Sequence, residues 1–404
     1  MLHIKISEEL HKLILNSSFY QSFNYVENNF SRLYKRKLSA TESTSGENNR
    51  FKVLKKNGNV ELKLKWYYDL KGCINTSPMV IKYKNQYLVL CVSFYQVFAV
   101  INFDTGQMMS EMIFPEPVQG GICVGDFGKA YVGCLNGSMY CVDITNCQKI
   151  WSFRTNGIIK SRPCFCLGRK AIVFGSYDGY AYCISTDGGN LIWKHNVGFS
   201  ISVNPVYNVK LKTVYLASSN KICFCLSESD GKMLWKYSVN SPVMGSPCSF
   251  EKLGHDDCIL WPEVEGVVHC TKCTTGDLVW TYKAQNQIYS SITTFENYFL
   301  FGCKDKNVYS VLVADDNKSC SLSFKICLNC EISSTPCIFK YEENTYIFAV
   351  TNGGVVFLID FFEQKVLQEI KMNDEIFCSP IMYDNRILFG CNDNNLYCFS
   401  IGNG

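Results

Sequence analysis

The stretch that decides the fold is GGNLIW at Gly188–Trp193, which is followed by Pro205 twelve residues after its tryptophan. The same frame returns at Asp230–Trp235, whose tryptophan precedes Pro247 by the same twelve residues. In both copies a glycine lies four residues before the tryptophan. A fixed offset that recurs along a chain indicates an internal repeat, and the repeat has to be recognised before any single motif is interpreted.

The tryptophan positions of this repeat follow one another at steps of 41 to 45 residues. Serine, phenylalanine and leucine stand in for tryptophan at three of them. The positions are Trp66, Ser110, Trp151, Trp193, Trp235, Trp280, Phe324 and Leu367. A unit of this length is longer than a leucine-rich or ankyrin repeat, and it fits four short strands with their turns. The period therefore predicts the blades of a β-propeller.

Apolar runs of about five residues within one unit predict its strands. In the third unit they are Pro163–Leu167, Ala171–Gly175, Tyr180–Ile184 and Asn190–Trp193. Turn residues separate the runs, and the Asp-Gly pair of Tyr177–Gly179 tolerates the positive φ of a tight hairpin. Each unit is therefore expected to fold as a four-stranded antiparallel sheet.

The units number eight, and their third strands are marked by one recurring position. That position is Val100, Cys141, Cys183, Cys225, Cys270, Ala314, Phe357 and Cys398. The last unit stops after its third strand, whereas an extra strand at Glu61–Tyr68 precedes the first complete unit. We predict an all-β, eight-bladed propeller in which this N-terminal strand completes the last blade, because closure removes two exposed sheet edges. A seven-bladed ring with one degenerate unit is the alternative.

Three regions follow from this interpretation. Residues 1–34 are predicted as a short helical segment, since Leu10, Leu13 and Ile14 share one helix face. Residues 35–60 are predicted as a flexible linker rich in polar residues. Its run Lys35–Lys37 is interpreted as solvated linker rather than as a targeting signal. Residues 61–404 are predicted as the propeller.

Composition excludes several classes of function. The net charge is only +3 and basic residues do not cluster along the blades, which argues against nucleic-acid binding. No signal peptide opens the chain and no apolar run has the length of a membrane span. The 23 cysteines recur inside strands, where free cysteine packs as a small hydrophobe. We expect a cytoplasmic monomer with reduced thiols and no membrane contact.

The repeat frame resembles the pyrroloquinoline-quinone (PQQ) repeat of quinoprotein propellers. It is more closely similar to the C-terminal propeller of the β-alanine-activating enzyme family, also described as acyl-CoA-synthetase-like or aminoadipate-semialdehyde-dehydrogenase-like. The most specific stretches are Trp66, Gly72–Pro78 and Gly390–Cys398. Leu15–Val26 resembles the last helix of the family's phosphopantetheine carrier domain, and Lys35–Ser39 resembles the start of the linker that follows it.

This resemblance implies a non-catalytic module. The family's ligase activity requires an adenylation domain with a phosphate-binding loop and a carrier serine, and neither motif occurs in this chain. We therefore expect no catalytic residue, no cofactor and no metal. The chain is expected to be either a fragment of a longer enzyme or a descendant that kept the propeller. The implied partner is the carrier-bound aminoacyl group, its acceptor, or a protein domain, and a standalone protein-interaction scaffold is the alternative.

A catalytic interpretation and a metal-binding interpretation are alternatives to the non-catalytic module. A quinone-dependent dehydrogenase of this fold uses an adjacent Cys-Cys disulfide, and no two of the 23 cysteines are adjacent. The pairs Cys270/Cys273 and Cys327/Cys330 have the spacing of half a zinc site, but they lie too far apart for one compact site. We expect both pairs to be structural. The five histidines form no local motif, and they are His3, His11, His195, His255 and His269.

Overall fold

The fold is described from a computed structural model covering residues 50–58, 60–251 and 257–403. These residues form eight antiparallel sheets, seven of four strands and one of five. The prediction of an all-β, eight-bladed propeller is confirmed, and the seven-bladed alternative is wrong. The helical segment predicted for 1–34, with Lys35–Lys37 and the rest of 35–49, lies outside the described residues.

The strands are numbered in chain order and the blades follow that order. Two strands precede the first complete blade, and they are β1 (Phe51–Lys56) and β2 (Val60–Asp69). Blades 1 and 2 contain β3 (Met79–Tyr83), β4 (Gln86–Val92), β5 (Val97–Asn102), β6 (Met108–Ile113), β7 (Ile122–Val124), β8 (Lys129–Gly133), β9 (Ser138–Asp143) and β10 (Gln148–Arg154). Blades 3 and 4 contain β11 (Cys164–Cys166), β12 (Ala171–Gly175), β13 (Tyr180–Ser185), β14 (Leu191–Asn196), β15 (Val206–Asn208), β16 (Thr213–Ser218), β17 (Ile222–Ser227) and β18 (Met233–Ser238).

Blades 5 and 6 contain β19 (Cys248–Phe250), β20 (Cys258–Pro262), β21 (Val267–Lys272), β22 (Leu278–Lys283), β23 (Thr293–Phe295), β24 (Tyr298–Gly302), β25 (Asn307–Val313) and β26 (Cys320–Cys327). Blades 7 and 8 contain β27 (Cys337–Tyr341), β28 (Asn344–Val350), β29 (Val355–Asp360), β30 (Lys365–Met372), β31 (Ile381–Tyr383), β32 (Arg386–Gly390) and β33 (Asn395–Asn403). Two 3₁₀ turns, Asp126–Gly128 and Leu167–Arg169, join inner strands. No helix in the described ranges is long and apolar enough to cross a membrane.

The last blade is completed by a strand from the opposite end of the chain. Strand β2 pairs antiparallel with β33 along its whole length, from Val60 opposite Asn403 to Asp69 opposite Asn395. The predicted closure of the ring by Glu61–Tyr68 is thereby confirmed. Because β2 covers the outward edge of β33, blade 8 has four strands and its third strand is not left unpaired.

Part of the predicted linker is a strand. Residues 51–56 of the segment 35–60 form β1, which adds a fifth strand to the outside of blade 7 by pairing with β30. The linker prediction is therefore wrong for these residues. All but the first of the β1 side chains are exposed, so the segment carries no apolar alternation that would reveal a strand. Backbone pairing holds the strand in place, together with an edge-to-face contact of Phe51 with Phe399 whose ring centroids lie 5.6 Å apart.

Four of the five repeat tryptophans join one blade to the next. The indole Nε1 donates a hydrogen bond to a backbone carbonyl of the following blade, as Trp193 does to Glu228 at 2.8 Å. The ring also covers the glycine of that blade's turn between third and fourth strands. A Cβ on Gly231 would lie 2.5 Å from the Trp193 ring, so the position excludes any side chain. The same pair of contacts recurs for Trp66 with Gly106, Trp151 with Gly189 and Trp235 with Gly276. The exception is Trp280, whose Nε1 is buried without a hydrogen-bond partner among the described residues.

Three of the predicted repeat positions are displaced in the structure. A bulge in blade 7 places Gln368, not Leu367, at the tryptophan position, where it pairs with Leu358 rather than Phe357. In blade 6 the partner of Phe324 is Ser310, and Ala314 lies beyond the end of β25. Leu367 and Phe357 each lie one residue before the paired position, and Ala314 lies four residues after Ser310. In blade 7 the tryptophan position holds the buried amide of Gln368, which hydrogen bonds to β2.

Cysteines fill the space between blades. All 23 lie in the described part of the chain and none forms a disulfide. At the repeated third-strand position Cys141, Cys183, Cys225 and Cys270 are fully buried opposite their tryptophans. Burial raises the pKa of Cys141 to about 12, so its thiol stays protonated. These thiols act as small apolar groups, as the sequence predicted.

Candidate functional site

A ring of eight residues surrounds the propeller axis. Each lies one residue before the proline, or before the isoleucine that replaces it, twelve residues after a tryptophan position. The ring residues are Ser77, Gly121, Arg162, Asn204, Ser246, Ser291, Thr335 and Ser379. All eight line one axial cavity, because every blade begins its innermost strand beside the axis.

Hydrogen bonds link consecutive members of the ring. In five cases the backbone N–H of one ring residue donates to the side-chain oxygen of the next. The distances are 2.7 Å from Arg162 to Asn204, 3.4 Å from Asn204 to Ser246, 2.9 Å from Ser246 to Ser291, 3.1 Å from Ser291 to Thr335 and 2.9 Å from Thr335 to Ser379. This chain of bonds runs from Arg162 to Ser379; Gly121 has no side chain, and the guanidinium of Arg162 has no acceptor. Six of the eight positions are thus fixed relative to one another.

A second set of hydroxyls attaches the ring to the blades. Ser161, directly before Arg162, donates from Oγ to the Gly175 carbonyl and accepts from the Gly175 N–H, at 3.0 and 2.9 Å. Ser290 makes the same two bonds with Gly302. Both serines are buried, and buried hydrogen bonds of this kind are costly to break. The cavity wall is therefore a rigid part of the sheet scaffold.

The axial cavity has a volume of about 570 Å³ and a polar wall. Among the described residues that line it, the charged side chains are Lys160 and Arg162, and none is Asp or Glu. Hydroxyls, amides and apolar residues of blades 5 to 8 make up most of the rest. The charged side chains among the described lining are thus all basic, which favours an anionic ligand over a cationic one.

A second polar cluster lies between blades 4 and 5. His269 on β21 is hydrogen bonded through Nε2 to Glu263, at 2.5 Å, and through Nδ1 to the Tyr237 hydroxyl, at 3.0 Å. Glu263 is fully buried and His269 nearly so. Burial raises the pKa of Glu263, but the hydrogen bonds from His269 and Ser241, together with the attraction of His269, outweigh it and hold the pKa below the ordinary value of 4.5. The imidazole has both nitrogens occupied, so the cluster is suited to structure rather than to proton transfer.

The cysteine and histidine candidates are dispersed. Cys270 and Cys273 are buried at blade 5, whereas Cys327 and Cys330 lie at the end of β26 and in the loop after it. Across 50–58, 60–251 and 257–403 no three His, Cys, Asp or Glu side chains are grouped as metal ligands would be. His195 lies on the outer strand β14. His3, His11 and His255 lie outside the described residues.

Sequence reasoning did not single out Lys160 and Arg162. The signal was present, since seven of the eight residues before the recurring proline or isoleucine are small or amide-bearing and one is arginine. That position could not be known to face the axis until the blades were placed. The repeated twelve-residue offset therefore marks the eight ring positions in the sequence but does not show that they line a cavity.

Solved structures with this fold share little sequence with the chain. A europium-containing methanol dehydrogenase matches 84% of the chain and 93% of its own length, with a TM-score of 0.70 at 11% identity. BamB from Moraxella catarrhalis matches 84% and 98%, with a TM-score of 0.67 at 12% identity. A quinohemoprotein alcohol dehydrogenase from Comamonas testosteroni matches 84% and 76%, with a TM-score of 0.65 at 12% identity. At such identities the likeness concerns the propeller fold alone.

Sequence comparison identifies a protein family, whereas the structural likeness concerns only the fold. The β-alanine-activating enzyme of Drosophila melanogaster is 25% identical over 360 residues, which is 85% of this chain and 35% of that protein. The chain thus spans about a third of the length of this curated relative. The family model for the β-propeller of the β-alanine-activating enzyme matches residues 70–401, which include every complete blade. Taken with the eight-bladed fold, this match places the chain in the family of β-alanine-activating enzyme β-propellers.

Proposed function

We propose that this propeller is a non-catalytic binding module of a β-alanine-activating enzyme, and that its axial cavity binds the acceptor of the activated aminoacyl group. The observation that carries the proposal is the cavity itself. Its volume of about 570 Å³ falls within the range of small-molecule sites, and its wall combines a few charged groups with many hydrogen-bonding ones. A rigid wall of this kind selects a ligand without reorganising.

A protein partner is the second candidate. The outer strands of blades 3 and 4 expose neighbouring apolar side chains, namely Leu191 and Ile192 on β14 and Met233 and Leu234 on β18. Exposed edges with apolar side chains favour the addition of a partner strand. In the proposed enzyme such a partner is a neighbouring domain or a carrier bearing the aminoacyl thioester. A standalone scaffold would use the same surface.

The experiment compares a whole β-alanine-activating enzyme with a version that lacks the propeller. Both are loaded with labelled β-alanine and ATP, and two quantities are measured. The first is β-alanine-dependent pyrophosphate exchange, which reports activation. The second is discharge of the label from the carrier when a cell extract supplies the acceptor. We expect exchange to be unchanged and discharge to be lost without the propeller.

Two results would contradict the proposal. Discharge at the full rate without the propeller would show that the acceptor binds elsewhere. Pyrophosphate exchange by this chain alone would show that the module is catalytic. The proposal also includes a cytoplasmic location, since none of the 23 cysteines forms a disulfide and such a chain suits a reducing compartment, and a monomeric state. Sedimentation of the purified chain tests the monomer.

A further inference from the structure

We infer that the axial cavity binds the carboxylate or phosphate group of its ligand through Arg162, with Lys160 as the second cation. The inference rests on the proposed function in that it concerns the same cavity, and it adds the chemical class of the ligand. The charge of the wall supports it first. Two basic side chains, Lys160 and Arg162, line the cavity, and none of the other described lining residues is acidic.

Arg162 differs from the other arginines of the blades in having an available guanidinium. Arg386 is paired with Asp104 at 2.9 Å, Arg169 with Asp126 at 3.2 Å, and Arg154 donates to the Ser138 hydroxyl. The Arg162 side chain is exposed into the cavity, and within the described ranges its guanidinium has no hydrogen bond or ion pair. Five donors in a planar fork match a carboxylate or phosphate by two parallel hydrogen bonds.

The aliphatic part of the Arg162 side chain packs over Gly121, the ring position that has no side chain. Its Cβ, Cγ and Cδ lie over Gly121, where an added Cβ would approach Cδ to 2.8 Å. Its backbone N–H is fixed to Asn204 at 2.7 Å. The ammonium of Lys160 lies 5.2 Å from the centre of the Tyr177 ring, which orients the second cation. The basic pair is therefore built into the wall rather than attached to a loose loop.

The hydroxyls of the ring complement the two cations. Ser246, Ser291, Thr335 and Ser379 each accept a backbone N–H through the side-chain oxygen. A hydroxyl that accepts still has its own proton to donate. The ring therefore supplies hydroxyl donors beside the two cations, and an oxyanion is the group that can bind both.

The test is calorimetric titration of the purified chain at constant ionic strength. Sodium phosphate and sodium succinate are the two anionic probes, and neutral succinamide is the comparison. We expect one site for an anion and none for succinamide. Tighter binding of phosphate would identify a phosphate-bearing ligand, and tighter binding of succinate a carboxylate-bearing one. Either result supports the inference.

Three variants locate the site. Arg162→Gln keeps the carbons that cover Gly121 but removes the charge, and it should weaken anion binding by about tenfold or more, as expected for a charged hydrogen-bonding pair. Gly121→Ala keeps the charge but displaces the Arg162 stem, so it should also weaken binding. Lys236→Gln removes a matched cation from the exposed outer strand β18 and should leave the affinity unchanged.

Two results would overturn the inference. One is the absence of anion binding by the unchanged chain. The other is equal affinity in Arg162→Gln and the unchanged chain, which would mean that anions bind the outer surface. The titration needs only the propeller, whereas the discharge assay needs the whole enzyme. Discharge that depends on the propeller but survives Arg162→Gln would remove the anion site and leave the proposed function intact.

Discussion

Replacing Gly231 by alanine tests whether the contact between tryptophan and glycine holds neighbouring blades together. Gly231 has φ of +68° in the turn between β17 and β18, and the Trp193 ring covers its Cα. An alanine Cβ would lie 2.5 Å from ring atom Cε3. The ring cannot easily withdraw, because its Nε1 is hydrogen bonded to the Glu228 carbonyl at 2.8 Å.

Two terms make up the expected loss of stability. A left-handed backbone costs an L-residue about 1–2 kcal/mol relative to glycine. Forcing a methyl group into a packed contact costs about 1–3 kcal/mol more. We therefore expect Gly231→Ala to lower the free energy of unfolding by about 2–5 kcal/mol. A loss of that size is a large part of the 5–15 kcal/mol that stabilises a typical protein.

Gly168→Ala provides the matched control. Gly168 has φ of +60°, yet nothing lies within 4 Å of the position of its Cβ. It should show the backbone term alone, about 1–2 kcal/mol, reduced by the lower entropy of the unfolded alanine chain. Unfolding in guanidinium chloride, followed by far-ultraviolet circular dichroism, measures both variants. A Trp193→Leu background should bring the cost of Gly231→Ala down to that of Gly168→Ala.

Equal stability of the two alanine variants in the unchanged background would refute a stabilising contact between Trp193 and Gly231. That result would mean that the Trp193 ring moves aside without loss, so the repeat would be maintained by strand pairing alone. A cost for Gly231→Ala that persists undiminished in the Trp193→Leu background would also contradict it. The contact with the ring would then not be the cause.

Gln368→Leu should lower the free energy of unfolding by about 1–3 kcal/mol, because it leaves the buried Leu62 N–H of the closing strand without its acceptor. The control Gln148→Leu, at an exposed position, should change the stability little. Equal melting temperatures of the two variants would show that Gln368 does not hold β2 in place. Glu263→Gln should destabilise the chain at neutral pH, and the difference from the unchanged chain should shrink as the pH falls. The sign follows from the lowered pKa of the buried carboxyl: its stabilisation is complete above its ordinary pKa of 4.5 and is lost as the pH falls through the lower value of the folded state. Urea midpoints between neutral and acid pH measure this, and a difference independent of pH would contradict it. Deletion of residues 60–68 should abolish cooperative melting, because blade 8 loses its fourth strand; a parent-like thermal transition would show that the ring does not depend on closure.

The blades could be predicted from the sequence because their contacts repeat. The tryptophan and the turn glycine are set by contact with the neighbouring blade, so their spacing recurs along the chain. Blade 7 shows the limit of this reasoning. A step of 41 to 45 residues fits Leu367 as well as Gln368, but Pro380 lies twelve residues after Gln368, and this offset identifies the position.

Two features were beyond sequence reasoning for different physical reasons. Strand β1 is bound through its backbone, and backbone pairing leaves no side-chain pattern. The basic pair Lys160 and Arg162 resembles any surface charge in the sequence. It becomes a candidate site only because eight distant loops converge on one axis, and convergence of that kind is a property of the closed ring.

The pairing of β2 with β33 also determines when the domain can be completed during synthesis. Val60–Asp69 leaves the ribosome first, but its partner strand is made more than 300 residues later. At about 5–20 residues per second, the closing strand waits roughly 15 to 65 s with Trp66 and an unpaired edge exposed. The nascent chain during this interval is an open fan, and open edges favour aggregation. Chains released early by a premature stop cannot complete the ring, so quality control has a clear structural signal by which to recognise them.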